Sequence, residues 1–167
     1  MHASKNEEKF FMGHLKNHHV VLEYGSGAST IEIAKIVKKI ISIEHDVDFF
    51  KQIKINMPEN ASLFLIKPNK IYIEGSSDDG SYDQFKDYVN YPLNMGPFDI
   101  IFIDGRARTS CSRICHLMTH ENSLIFIHDF YIPPIANRGS YLNALNYLTI
   151  MDHCETMYKF KIKEKCP

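Results

Sequence analysis

The sequence predicts an α/β protein: a doubly wound, mostly parallel sheet with an antiparallel strand near its C-terminal end. Three observations carry that expectation. Nearly unbroken apolar runs at residues 20–22, 40–43, 98–103 and 123–127 alternate with segments of helical periodicity, the pattern of a parallel sheet covered on both faces. The stretch Val20-Val21-Leu22-Glu23-Tyr24-Gly25-Ser26-Gly27-Ala28-Ser29-Thr30 passes from buried-strand character through Gly-x-Gly into an amphipathic segment (Ile31, Ile33, Ala34, Ile36, Val37). That reads as strand, tight turn and helix. Tyr158, Phe160 and Ile162 alternate with lysines, as on an antiparallel edge strand.

In order along the chain, residues 4–17 set Phe10, Phe11 and Leu15 among Lys, Glu and Asn and read as a short amphipathic helix. Strand one, the glycine turn and its helix follow. Ile40-Ile41-Ser42-Ile43-Glu44 is a second buried strand that ends in an acid. Asp46 is placed to cap the next helix, to about residue 56, with Val47, Phe50 and Ile53 facing inward. Pro58 stops it. Residues 62–66 read as strand three and residues 71–73 as a further extended run, with a loop over 75–81. A weak helix is expected at 82–90 and irregular chain at 90–97. Phe98-Asp99-Ile100-Ile101-Phe102-Ile103-Asp104 is the strongest strand, broken by Gly105 and followed by a helix at 107–118. Strand five at 123–127 ends in His128-Asp129. A loop holding Pro133 and Pro134 leads to a short segment at 141–145, and extended pieces at 147–151 and 157–162 close the chain.

A chain of 167 residues reads as one domain with one good core. With 19 Lys and Arg against 20 Asp and Glu, the formal net charge of −1 offers no global field for nucleic acid or anionic membrane. No apolar run approaches the ~20 residues of a membrane span, and residues 1–17 lack the apolar region of a secretory signal. Cys111, Cys115, Cys154 and Cys166 lack zinc-ribbon spacing, and the first two sit one helical turn apart as small core hydrophobes. A cytoplasmic protein with reduced thiols is expected.

The glycine turn points to a nucleotide-type cofactor. Gly25 permits a positive φ, Gly27 lets a ligand approach the backbone, and the first turn of the following helix presents free N–H groups. Glu44 follows Gly25 at close to the ~20 residues that place an acid on a ribose diol. Position 30 is Thr, where a dinucleotide fingerprint has its third glycine. Glu23, two residues ahead of the first glycine, is placed to meet a cationic amino group.

On these residues the chain resembles, over nearly its whole length, the class I S-adenosylmethionine-dependent methyltransferases, whose fold is Rossmann-like. Glu23-Tyr24-Gly25-Ser26-Gly27 is similar to the family's first motif, and Ile43-Glu44-His45-Asp46 to its ribose-binding acid. Gly75-Ser76-Ser77-Asp78 resembles the loop that borders the adenine. Residues 98–104 resemble the strand whose terminal acid, here Asp104, lies beside the methionine and the substrate. Element order and loop lengths look most like the small-molecule O-methyltransferases of the catechol type. The resemblance implies that Ser29 holds the methionine carboxylate, Glu23 the amino group and Glu44 the ribose, with Gly25, Ser26, Gly27 and His45 around them and Ser77 and Asp78 at the adenine.

On the acceptor side, strands four and five are expected to be neighbours, which brings Asp104, His128 and Asp129 to one sheet edge. Methyl transfer to a hydroxyl needs in-line positioning and removal of a proton. His128 reads either as the general base or as a strand-end histidine satisfied by a carbonyl. The resemblance also implies divalent-cation ligands at these positions. A His stands where the family has an acid, and Ala107 where it has a catalytic lysine, so no metal is assigned. Arg106 and Arg108 follow Asp104 and suit an anionic acceptor group, with Arg138 and Tyr141 as further wall residues. The expected partner is a small-molecule acceptor, with no membrane and no nucleic acid; a homodimer is left open. A non-catalytic methyltransferase-fold subunit and an NAD-dependent reductase are the alternative functions.

Overall fold

A computed structural model describes residues 3–71, 79–130 and 139–163. Seven strands form one sheet: β1 (Val20–Tyr24), β2 (Lys39–Glu44), β3 (Ala61–Leu65), β4 (Phe98–Ile103), β5 (Thr119–Ile127), β6 (Leu148–Cys154) and β7 (Met157–Ile162), in the order β3-β2-β1-β4-β5-β7-β6. The first five pair in parallel, and β7 is antiparallel to both β5 and β6. Strand order reverses between β1 and β4, and ligands of open α/β sheets sit beyond the carboxyl ends at that place.

Among the described residues, five α-helices cover the sheet: α1 (Lys5–Met12), α2 (Ala28–Ala34), α3 (Val47–Lys54), α4 (Lys86–Asn90) and α5 (Arg108–Ile114). Alternation along each strand feeds two apolar layers. Val21, Ile40, Ile100, Phe102 and Phe126 join Phe11 of α1 and Ile33 of α2. Leu22, Tyr24, Ile41, Ile43, Ile101 and Ile103 join Tyr88 of α4 and Cys111 of α5. The two layers explain why the central strands are apolar on both faces, with Glu23, Ser42 and Asp99 the polar exceptions inside β1, β2 and β4. Ser4 caps α1 in a capping box with Glu7, and Asp46 caps α3 by accepting from the Asp48 and Phe49 N–H groups at 2.7 and 2.8 Å.

Several elements differ in extent from the sequence expectation. The helix expected at 107–118 is α-helical only to Ile114 and tightens into a 3₁₀ turn, Cys115–Leu117. The helix expected at 82–90 begins only at Lys86. Strand β5 begins at Thr119, four residues early, because Phe98 pairs with Thr119 ahead of a bulge in the β4–β5 ladder. The face of α3 with Val47, Phe50 and Ile53 is only half-buried, since that helix covers the outer strand pair. Ile71 lies outside any strand, and the rest of the extended run expected at 71–73 falls outside the described residues. Cys111 and Cys115 are buried free thiols, as expected. No described helix is long and apolar enough to cross a membrane.

Candidate functional site at the carboxyl ends of the strands

Register brings the candidate residues to one edge. Tyr24 aligns with Ile43 on one side and with Ile103 on the other, and Ile103 with Ile127. Gly25, Glu44, Asp104 and His128 therefore each stand at or just past a strand end. The two turns beyond β1 and β4 touch through bare backbone. Gly25 takes φ 93°, and a Cβ built on it would lie 2.6 Å from the Gly105 Cα. A Cβ on Gly105 would collide with the Tyr88 hydroxyl. Gly25 is needed for both its φ and the close approach, and Gly105 for the close approach. Gly27, with φ 179°, is extended backbone that any residue adopts.

Glu44 organises the β1–β2 side. Its Oε2 accepts from the Ser26 N–H and hydroxyl, both at 2.8 Å, and its Oε1 from the His45 and Asp46 N–H groups at 2.7 and 2.8 Å. Burial alone would raise its pKa, but these hydrogen bonds and the adjacent His45 hold it below the ordinary value. The His45 ring packs edge-on to Phe85 and Tyr88, with Nδ1 3.0 Å from Glu44 Oε1.

Glu23 is placed differently from its expected exposure to an amino group. No part of it is exposed. Ser29 Oγ donates to its Oε1 at 2.6 Å, while Thr30 Oγ1 and Ser42 Oγ donate to its Oε2 at 2.5 and 2.6 Å. Thr30 Oγ1 in turn accepts from the Gly27 N–H at 3.0 Å. The chain Gly27–Thr30–Glu23 ties the glycine turn to β1 from below, which accounts for threonine where a dinucleotide site has glycine. Burial outweighs the three hydroxyls and raises the Glu23 pKa to about 7. Ser29, spent on Glu23, is itself buried. Sequence reasoning missed Thr30 and Ser42; the signal was one hydroxyl interrupting the apolar run Ile40-Ile41-Ser42-Ile43.

The β4–β5 side gathers Asp104, His128 and Asp129 as expected, and around them lies more charge than the sequence suggested. His128 Nδ1 is 2.8 Å from Asp104 Oδ1, and its Nε2 lies 3.6 Å from Glu7 Oε2 and 4.0 Å from Asp129 Oδ1. The imidazole is buried between carboxylates. Burial alone would lower its pKa, but the bond to Asp104 and the charges of Asp104, Asp129 and Glu7 leave it raised. The side chains of Asp104 and Asp129 remain 15% and 35% exposed. They, and not His128, form the open part of this cluster.

Arg108 is a buried hub and not a solvated helix-start charge. Its Nε donates to the Gly105 carbonyl at 2.9 Å, Nη1 to the His128 carbonyl and Nη2 to the Asp104 carbonyl at 3.3 Å. Nη1 is also 3.5 Å from Asp129 Oδ2 and Nη2 3.8 Å from Asp104 Oδ1. The guanidinium lies 5.4 Å over the Tyr141 ring. Tyr141, expected on an acceptor wall, is 1% exposed and serves as a floor for Arg108. Asp79, which the sequence did not single out, is buried nearby, and burial raises its pKa against hydrogen bonds from the Arg108 and Thr109 backbone and Tyr141. Arg106 is half-buried. Ser77, Asp78 and Arg138 fall outside the described residues. Ala107 and Asp129 both hold φ 53°, a left-handed conformation rare for residues with a Cβ, where the two loops flank the cluster.

One ligand atom each from Asp104, His128 and Asp129 lie within 4.8 Å of one another, close enough to surround a cation. The Arg108 guanidinium already lies against both carboxylates, and Nδ1 of the histidine is committed to Asp104. The donor set fits a hydrogen-bonded charge cluster better than a divalent ion.

Comparison with solved structures then places the architecture. A methyltransferase-like protein of Silicibacter pomeroyi superposes with a TM-score of 0.76 at 17% identity, covering 100% of this chain and 90% of that one. The two share one Rossmann-like α/β fold. A precorrin-8w decarboxylase of Methanobacterium thermoautotrophicum matches with a TM-score of 0.60 at 12% identity, covering 95% of this chain and 89% of that chain. A tRNA methyltransferase of Aquifex aeolicus matches with a TM-score of 0.59 at 13% identity, covering 99% and 72%. No family model matches the chain. No curated protein matches it either.

Proposed function

We propose that this chain is an S-adenosylmethionine-dependent methyltransferase whose acceptor is a hydroxyl of a small molecule. One observation carries the reading: at the switch point between β1 and β4, the glycine turn is clasped by Glu44 and set directly against the turn that carries Asp104. The methyltransferase-like neighbour supports the same function. A net charge of −1 supports a small acceptor over a polyanionic one such as tRNA.

The donor set fits an adenosyl amino acid, with one revision of role. Glu44, at the tip of β2, holds the ribose diol once the Ser26 hydroxyl turns away from its Oε2. Asp104, partly open and paired with His128, takes the amino group that the sequence assigned to Glu23. Glu23 keeps the glycine turn in place through Ser29 and Thr30. Ser77 and Asp78 remain the candidates for the adenine border and Arg106 and Arg138 for an acceptor anion. When bound, the cofactor supplies an electrophilic methyl group. Asp129, the most exposed carboxylate of the cluster, orients the acceptor hydroxyl and receives its proton. His128 acts from behind Asp104, and its buried ring does not meet the acceptor.

Calorimetric titration with S-adenosylhomocysteine tests this. Saturable binding is expected, weakened at least ~10-fold, about 1.4 kcal/mol, in Glu44→Gln, with no binding of NADH. Folded wild-type protein that takes up no S-adenosylhomocysteine overturns the proposal.

A further inference from the structure

Glu7 sits 97 residues before Asp104 in the chain, on a helix whose other polar groups point outward, yet it is only 4% exposed. A capping-box glutamate has a local task, and Glu7 performs it by accepting from the Ser4 N–H at 2.8 Å. That task alone does not require burial. The same carboxylate also accepts from the Thr156 N–H and hydroxyl at 2.8 and 2.6 Å, which fastens α1 to the turn between β6 and β7. Its Oε2 then faces His128 Nε2 at 3.6 Å, and the opposite ring nitrogen faces Asp104 at 2.8 Å.

A buried imidazole flanked by two carboxylates has one favourable arrangement. Nδ1–H donates to Asp104, and Nε2 carries a proton toward Glu7, because a bare nitrogen lone pair would repel that carboxylate. The electrostatics agree: burial opposes a charged Glu7, yet its hydrogen bonds and His128 lower its pKa to about 2. The His128 backbone is fixed as well, its N–H donating to the Ile103 carbonyl at 3.1 Å and its carbonyl accepting from Arg108. The ring therefore has little freedom except to transmit what holds its far nitrogen.

We infer that Glu7 is a positioning residue of this site, holding the Asp104 carboxylate in its binding orientation through the His128 imidazole. The inference rests on the proposed cofactor site for its consequence, since Asp104 is there the partner of the amino group. It makes the N-terminal helix part of the site without contact to the ligand.

A double-mutant cycle tests it, with S-adenosylhomocysteine as the titrant. Glu7→Gln is expected to weaken binding about 5- to 10-fold and Asp104→Asn more, while the double variant binds no worse than Asp104→Asn alone. A purely structural Glu7 predicts that the two losses multiply, and that result overturns the inference. Thr156→Val, which loosens α1 but keeps Glu7 opposite His128, is expected to leave affinity within about twofold; a loss equal to that of Glu7→Gln also overturns it. Nitrogen NMR of the wild-type imidazole supplies a measurement that needs neither ligand nor a folded Glu7→Gln. Both His128 ring nitrogens are expected to be protonated at pH 7, and a bare Nε2 rejects the relay. If wild-type protein binds no S-adenosylhomocysteine but shows that doubly protonated ring, the cofactor reading fails and the Glu7–His128–Asp104 geometry stands.

Discussion

The two halves of the site edge handle charge in opposite ways. Beside β1 and β2, Glu23 and Glu44 are saturated by their own chain, one by three hydroxyls and the other by three backbone N–H groups and a hydroxyl. Beside β4 and β5, Asp104 and Asp129 keep open surface and are balanced by a buried arginine and an imidazole. The first half shapes a turn, and of its two acids only Glu44, by giving up the Ser26 hydroxyl, turns to a ligand; the second holds charge where something else can reach it directly. Acidic residues at strand ends therefore do not share one role because they share one edge. The number of donors the chain itself supplies decides how readily a carboxylate turns to a ligand.

The sharpest way to break this division is at the seam between the halves. Gly25→Val adds backbone strain of roughly 1–3 kcal/mol at φ 93°. It also drives a Cβ to 2.6 Å from Gly105, adding overpacking of similar size. A loss of about 5 kcal/mol is expected, read as a large drop in the midpoint of a urea titration and enough to half unfold a domain at the low end of ordinary stability. A stable variant means that the two turns do not hold one another.

Arg108→Met tests the charged half. Removing the guanidinium leaves Asp104, Asp129 and Asp79 without their shared counter-charge. Roughly 3–4 kcal/mol of stability is expected to be lost at pH 7, and less as the pH falls and Asp79, whose pKa burial raises, takes up its proton. Arg108→Lys is not expected to restore it, because one ammonium cannot reach three carbonyls. A loss that does not vary with pH points to packing against Tyr141 instead.

Glu23→Gln sharpens the saturated half. A carboxyl raised from 4.5 to about 7 by burial binds more protons folded than unfolded between those values. Its contribution is therefore fully present below pH 4.5 and is lost as the pH rises through about 7. Wild-type protein is expected to lose up to about 3 kcal/mol relative to Glu23→Gln between pH 4.5 and 8. Parallel stability profiles would show that Glu23 is charged throughout.

Much of the architecture was legible because it depends on local pattern. Apolar runs marked the central strands, Asp46 marked the start of α3, and Gly25 marked a turn with positive φ. Ends set by pairing were less visible: the polar residues 119–122 look like loop, and only the β4 ladder recruits Thr119 into β5. The site was legible as a set of positions and much less as a set of roles. Arg108 after Asp104 reads as a group for an acceptor anion, and its burial over Tyr141 depends on a segment 33 residues further on. Glu7 carries no signal of its own among residues 4–17, since its partner Thr156 lies 149 residues further on.

Sequence alone determined the order of strand and helix, the glycine turn after the first strand and the convergence of Asp104, His128 and Asp129, since periodicity and residue chemistry act over a few positions. Tertiary structure alone decided that Glu23 is consumed from within, that Arg108 is buried against the acidic cluster and that the N-terminal helix stands behind His128. Whether a buried polar group is satisfied depends on which donors the fold carries to it from distant parts of the chain, and no local spacing records that.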